Sequence, residues 1–186
     1  MASDVVSWRS GWWLGAKRRA SPNADARTSG TDVTEVTLVV LHHISLPAGH
    51  FEGDAVCDFF ENRLDVTRYP TLAELVDVHV SSHFFVRRTG EILQFVSCDD
   101  RAWHAGVSAW RGRSGCNGFS IGVEIEGDAV SAFADPQYSA LDVLLAAIKQ
   151  NYSIKAVTTH SEIAPGRKID PGPTFDWSRL SVRWHC

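Results

Sequence analysis

Two adjacent histidines close an apolar run: VVLHHIS, from Val39 to Ser45, ends the stretch TEVTLVVL that begins at Thr34. A run of β-branched and aliphatic residues predicts a buried central strand over 34–44, and successive strand side chains point to opposite faces. His42 and His43 therefore cannot both look into one site, and at most one of them is expected to act there directly. A second stretch, HSEIAPGRKIDPGP from His160 to Pro173, carries a histidine, Lys168 and Asp170. Asp170 precedes a proline, which pushes it to extended backbone and restricts the direction of its carboxylate; the Pro165-Gly166 pair stiffens the loop further. A strand histidine, a histidine from the start of this loop and a carboxylate from its end would give a divalent ion three ligands and leave a fourth position for water. The bland reading is that His160 caps a helix and Asp170 opens a turn, because a histidine and an aspartate at this spacing form a weak pattern beside H-E-x-x-H on one helical turn.

Glu124 and Glu126 fall two residues apart in IGVEIEG and so share one strand face. A carboxylate on a largely apolar strand is costly unless it is paired or functional; the structural alternative is an ion pair to Arg111 or Arg113. Neighbours on one strand cannot flank a glycosidic bond from opposite sides, so a glycosidase pair is disfavoured. Lys168 is either an ordinary exposed loop lysine or a cation aimed at a developing oxyanion. Trp103 and His104, in RAWHAG, are either loop packing or a platform for a sugar face. The cysteines at 57, 98, 116 and 186 show no CxxC spacing and no recognisable nucleophile context.

These residues need a scaffold of strands and helices. Beyond the first strand, DAVCDFF (54–60) reads as a short helix, and VHVSSHFFVRR (78–88) with TGEILQFV (89–96) as a hairpin around a Thr-Gly turn. FSIGVEIEG (119–127) is a further strand, and the stretch from Pro136 to about Tyr152 is an amphipathic helix with proline at its start. The segment from His160 to Trp177 reads as a long irregular tail. Interleaved strands and helices without a repeat or linker predict an α/β (α+β) domain, one mixed β-sheet flanked by helices. Residues 1–33, rich in Trp, Gly, Ser, Arg and Asp, are expected as an irregular lead-in packed on a domain that spans 34–186.

The bulk properties narrow the partners. A chain of 186 residues with 44% hydrophobic residues suits one domain with one sizeable core. A formal charge of -4 gives no electrostatic reason to expect nucleic acid or an anionic membrane as partner. No apolar run is long enough to span a bilayer, and MASDVVSWRS lacks the basic start and apolar core of a secretory signal, so a cytoplasmic protein with reduced cysteines is expected.

Taken together, VVLHHIS, SSHFFVRRTGEI (81–92), RAWHAG, CNGFSIGVEIEG (116–127) and HSEIAPGRKIDPGPTFDW (160–177) resemble the cytoplasmic 1,6-anhydro-N-acetylmuramyl-L-alanine amidases. These are zinc-dependent N-acetylmuramoyl-L-alanine amidases that share a fold with peptidoglycan-recognition proteins, and the resemblance runs in order from about Gly11 to about Leu180. It implies one zinc ion held by His42, His160 and Asp170, with Glu124 as the catalytic glutamate and Lys168 as the cation near the scissile carbonyl. Glu124 would take a proton from the activated water and return it to the leaving amine as the lactyl–L-alanine amide is cut. His83 matches a recurring family position and is read as structural or as support for the ligands, and Trp103 and His104 would contact the sugar or lactyl end. The partner implied is an anhydromuramyl-peptide acted on by a monomer during cell-wall recycling, a role tied in related bacteria to β-lactamase induction.

Two positions depart from the family pattern. His43 stands where relatives carry asparagine and is expected to keep a hydrogen-bonding role. Gly115 stands directly before Cys-Asn, where relatives carry an arginine suited to the stem peptide's diamino acid; Arg113 is the expected substitute, since a guanidinium can reach a carboxylate from a shifted backbone. The alternatives are a non-catalytic peptidoglycan-binding module of the same fold, which usually lacks one or more of the zinc ligands, and an amidase acting on intact wall.

Overall fold

A six-stranded mixed sheet organises the chain in this computed structural model, which describes residues 7–27 and 35–181. Its strands are β1 (Lys17–Arg18), β2 (Leu38–Ile44), β3 (Phe84–Val86), β4 (Ile92–Gln94), β5 (Ser120–Glu126) and β6 (Ala156–Thr159). They lie in the order β6-β2-β5-β3-β4-β1; β6, β2, β5 and β3 run parallel, and the β3–β4 pair is antiparallel. The helices are α1 (Ala55–Phe60), α2 (Asp135–Asn151) and the single turn α3 (His160–Ile163). The α+β architecture read from the interleaved pattern is the one observed.

Alternation along the central strands divides the residues between two layers. Val39, Leu41, Ile121, Val123 and Ile125 pack against Leu141, Leu144, Leu145 and Ile148 of α2. Those helix positions repeat every three or four residues, the spacing of one apolar helical stripe. Gln137, buried in the first turn of α2, accepts from the Ala134 amide at 2.9 Å and donates to the Glu126 and Val86 carbonyls. It fastens the start of the helix to the strand ends beneath it.

On the other face Phe85 and Leu93 pack with Val56, Cys57, Phe59 and Phe60 of α1. Leu38, Val40 and Ala156 pack with Ala105, Cys116, Phe119 and Ile163. The hairpin turns at Gly90, whose φ of +85° is left-handed and where a Cβ would meet the Pro136 carbonyl oxygen at 2.9 Å. Its paired segments are shorter than expected, three residues each.

Two differences from the sequence reading bear on the site. Ala156–Thr159, to which the sequence pattern assigns no element, is a strand next to β2. Four residues are too few for alternation to stand out, and both faces are covered, so the usual signal is missing. The lead-in is also more ordered than its composition suggests. Trp8–Arg9 pairs with Trp12–Trp13, Lys17–Arg18 adds the outer strand, and Ala24–Ala26 pairs with Asp100–Ala102. Trp8 stands edge-on to Phe84 and Tyr152, and buried Arg27 donates to the carbonyls of Cys98, Asn117, Gly118 and Ser120. Thr34, where the first strand was expected to begin, and Cys186 lie outside the described residues.

Candidate metal and catalytic site

Three adjacent parallel strands carry the site on their C-terminal ends, and their register builds it. His42 of β2 is level with Glu124 of β5, and Leu41 is level with Thr159, so the residue after β6, His160, emerges beside His42. Thr159 caps the turn that follows: its hydroxyl accepts from the Glu162 amide at 3.1 Å. This T-x-x-E arrangement is a capping box written in the sequence as THSE, and it directs His160 back over the sheet. His160 is thus the first residue of a helical turn, and Asp170 returns from the loop beyond it.

The structure brings His42, His160 and Asp170 together. His42 Nδ1 lies 2.9 Å from His160 Nδ1 and 3.2 Å from Asp170 Oδ2, and His160 Nδ1 lies 2.9 Å from the same carboxylate oxygen. All three residues are buried. Ligand atoms about 2.0–2.1 Å from a tetrahedral ion lie about 3.3 Å apart, so these donors need move by only a few tenths of an ångström to hold one. The far ring nitrogens are also occupied, as ligating imidazoles require: His160 Nε2 is 3.2 Å from the Ala105 carbonyl, and His42 Nε2 is 2.9 Å from His104 Nδ1. The donor set fits a divalent ion such as zinc.

The charges of the cluster are set by burial and by one another. Burial pulls His42 down to about 4, so the ring is neutral and a nitrogen is available. Burial pushes the Asp170 carboxyl up, but the close imidazoles of His160 and His42 outweigh this and hold it well below the usual carboxylate range. Glu124 goes the other way: burial, and then the Asp170 charge, push it well above the ordinary value against a smaller opposing effect of Lys168. Its Oε2 is buried with no hydrogen-bond partner among the described residues. Neither arginine considered as an ion-pair partner is used in that way; Arg111 lies over Trp110 and Arg113 lies 4.0 Å over Phe119. Glu126 instead accepts the Arg88 amide at 2.8 Å, so the strand's two carboxylates have separate environments. Two carboxylates whose surroundings push their pKa values apart, Asp170 down and Glu124 up, suit one for binding a cation and the other for moving a proton.

His104, expected against the sugar or lactyl end of a ligand, is buried, with Nδ1 against His42 and Nε2 3.1 Å from Ser120 Oγ. Its backbone direction is fixed by Asn117, whose Oδ1 accepts the amides of His104 and Ala105. His83 is buried as well and accepts the Gly122 amide at 3.0 Å. His43 is half-buried, with Nδ1 3.1 Å from the Pro171 carbonyl directly after Asp170. Lys168 and Arg113 are exposed and Trp103 is half-buried. Arg167 was not singled out in the sequence, yet its Nη2 donates to the Ala105 and Val107 carbonyls at 2.8 and 2.7 Å. It anchors the same Ala105 carbonyl that orients His160.

Comparison with known proteins agrees with this geometry. The family pattern described as N-acetylmuramoyl-L-alanine amidase (Amidase_2) matches residues 32–173. The chain is 46% identical over 174 residues to the 1,6-anhydro-N-acetylmuramyl-L-alanine amidase AmpD of Escherichia coli K12, spanning 92% of this chain and 93% of that relative. It superimposes on the crystal structure of a selenomethionine AmpD derivative with a TM-score of 0.86 at 44% identity, covering 92% of this chain and 96% of the other. Escherichia coli AmiD, solved in complex with anhydro-N-acetylmuramic acid-L-Ala-D-γ-Glu-L-Lys, superimposes with a TM-score of 0.59 at 32% identity over 87% of this chain and 59% of its own. The chain belongs to the N-acetylmuramoyl-L-alanine amidase family.

Proposed function

We propose that the protein hydrolyses the amide between the lactyl carbonyl of 1,6-anhydro-N-acetylmuramic acid and L-alanine in cell-wall recycling fragments. The observation that carries the proposal is the convergence of His42, His160 and Asp170 beside Glu124 at the ends of three adjacent parallel strands. His42, His160 and Asp170 would hold one zinc ion. Bound zinc supplies Lewis-acid chemistry: with two neutral ligands and one carboxylate it keeps net positive charge, which acidifies a bound water and polarises a carbonyl.

The chain's own residues supply the proton traffic and the orientation. Glu124, raised by burial, is poised to take a proton from the attacking water and to deliver it to the leaving amine of L-alanine. A carboxyl raised above the ordinary glutamate value takes up a proton more readily than an exposed glutamate does. Lys168, exposed on the loop that carries Asp170, faces charge developing on the scissile carbonyl oxygen. Trp103 and Arg113 are assigned to the substrate, Trp103 through its half-buried indole and Arg113 through a carboxylate of the stem peptide. His43 steadies the Asp170–Pro171 segment from β2.

We assign the reaction to the cytoplasm on the resemblance to the recycling amidases. The three described cysteines, Cys57, Cys98 and Cys116, are buried free thiols, in keeping with a reducing compartment. No helix among the described residues is long and apolar enough to cross a membrane.

The test is to incubate the purified protein with anhydromuramyl-tripeptide, with and without chelator and zinc add-back, and to follow free tripeptide by mass spectrometry. Chelator-sensitive release that zinc restores is the expected result. No release under any condition would replace the enzyme reading with that of a non-catalytic fragment-binding module, and release from purified sacculi would extend the substrate to intact wall.

A further inference from the structure

Ser120, Gly122 and Glu124 alternate along β5 and so share the face that carries the site. Glu124 lies level with His42 across the strand pair; the other two residues accommodate His104. A Cβ at Gly122 would lie 2.5 Å from His104 Cγ, so the imidazole fills a slot that any side chain at 122 would close. The ring is buried, with a neighbour within hydrogen-bond distance of each nitrogen.

The hydrogen-bond directions in this slot follow from one carbonyl. Ser120 Oγ is 2.6 Å from the Cys116 carbonyl oxygen and 3.1 Å from His104 Nε2. A carbonyl cannot donate, so the single hydroxyl proton of Ser120 is committed to Cys116. Towards His104 the hydroxyl can only accept. Neutral His104 must therefore carry its proton on Nε2 and present a bare Nδ1 to His42 Nε2, 2.9 Å away. His42 in turn carries its proton on Nε2, and its bare Nδ1 is the atom that faces His160 and Asp170. With the opposite polarity, His42 would hold a proton on the nitrogen that must bind the ion.

We propose that Cys116 O, Ser120 and His104 form a relay that fixes the tautomer of His42, making His104 a positioning residue for the metal ligand. The inference rests on the reading of His42, His160 and Asp170 as zinc ligands. Arg27 supports the relay from outside, since it donates to the Ser120 carbonyl at 2.9 Å and holds the start of β5 in place. His160 needs no such relay, because its Nε2 meets the Ala105 carbonyl directly, an acceptor with only one polarity.

The experiment has two arms. The first records nitrogen-15 histidine spectra of the wild-type metal-free protein, which report tautomers without any substitution. His104 with a protonated Nε2 and a bare Nδ1 is expected, and a protonated His104 Nδ1 overturns the relay. The second measures zinc affinity by chelator competition for wild type, His104→Phe, His104→Gln and Ser120→Ala. A loss of about 10- to 100-fold in His104→Phe is expected, the usual weight of an outer partner of a metal ligand, with partial recovery in His104→Gln, whose amide oxygen can accept from His42. Equal affinity in His104→Phe and wild type sinks the proposal. Should His104→Phe not fold, Ser120→Ala carries this arm: a weakened affinity supports the relay, and an unchanged one overturns it. A wild type that takes up no zinc would instead defeat the zinc reading, and the tautomer spectra would still decide whether the relay exists.

Discussion

The two faces of one sheet obey different rules. Towards α2, β2 and β5 present Val39, Leu41, Ile121, Val123 and Ile125, an apolar layer whose contribution is area removed from water. Towards the site, the alternate positions His42, Ser120, Gly122 and Glu124 are also buried but polar or minimal; His42 and Ser120 depend on particular partners, and Gly122 on leaving room for His104. The first face tolerates any well-packed hydrophobe of similar volume; the second tolerates almost no change, because a lost partner leaves a buried polar group unpaired. The α2 side contributes packing alone, whereas the other side adds the chemistry to its own apolar clusters, so substitutions towards α2 can be separated from those at the site.

The largest effect expected is on the chemical side. Glu124→Gln removes the proton carrier while keeping the shape, and turnover of anhydromuramyl-peptide should fall by about 10²- to 10⁴-fold with zinc content unchanged. The same variant should make the metal-free protein more stable at neutral pH, since the wild-type carboxyl is raised by burial and its ionised form is disfavoured in the fold. A Glu124→Gln protein that kept wild-type turnover would remove Glu124 from the mechanism. Leu144→Ala, on the α2 side, should do the reverse. It opens a cavity at a fully buried position, costing about 2–5 kcal/mol in urea unfolding, while turnover per folded molecule is preserved. A comparable loss of turnover in that variant would show that the two faces are coupled.

A pH experiment on metal-free protein sharpens the same contrast within the site. His42 is near 4 in the fold against 6.5 when free, so as pH falls between these values the unfolded chain takes up a proton that the folded protein refuses, and stability is lost. The shift amounts to up to about 3 kcal/mol. Glu124 opposes it: with its folded value above the ordinary 4.5, the folded protein binds the extra proton in that range, and stability is gained as pH falls. His83 and His104, which burial also lowers, add to the loss, so wild type should lose stability as pH falls below about 6.5, and Glu124→Gln, lacking the opposing gain, should lose it more steeply. Parallel curves for the two proteins would show that the Glu124 shift is absent.

The same contrast explains what could be read in advance. The apolar layer announces itself through run length and helical spacing, so β2, β5 and α2 were legible. His42 and Glu124 stood out because polar residues interrupt those runs. His104 stood out only as a candidate sugar contact; its approach to His42 was not legible, since it depends on the absence of a side chain at Gly122, eighteen residues along the chain. An isolated glycine inside a strand is the one clue to such a close approach. β6 was hidden by its four-residue length, although the THSE capping box just after it marks where His160 turns back. The lead-in strands, mostly two residues long, carry no periodicity at all.

Arg113 tests the comparison at its outer edge, where the smallest effect is expected. Its guanidinium lies 4.0 Å over Phe119, which packs with Val40 and Cys116 beneath the site, so the stack presents an exposed cation from a fixed base. An arginine at 115 would have to adopt the left-handed backbone that Gly115 takes at φ +74°, a conformation that side chains disfavour. Placing the cation at 113 avoids that strain. Arg113→Ala should lower kcat/KM about tenfold, roughly 1.4 kcal/mol, for a fragment whose third residue is diaminopimelate, and much less for one carrying lysine, which lacks the extra carboxylate. Arg113→Lys keeps the charge without the planar fork and should fall between the two. An equal loss on both substrates would mean that Arg113 only packs against Phe119, and no loss on either would leave the missing arginine without a substitute.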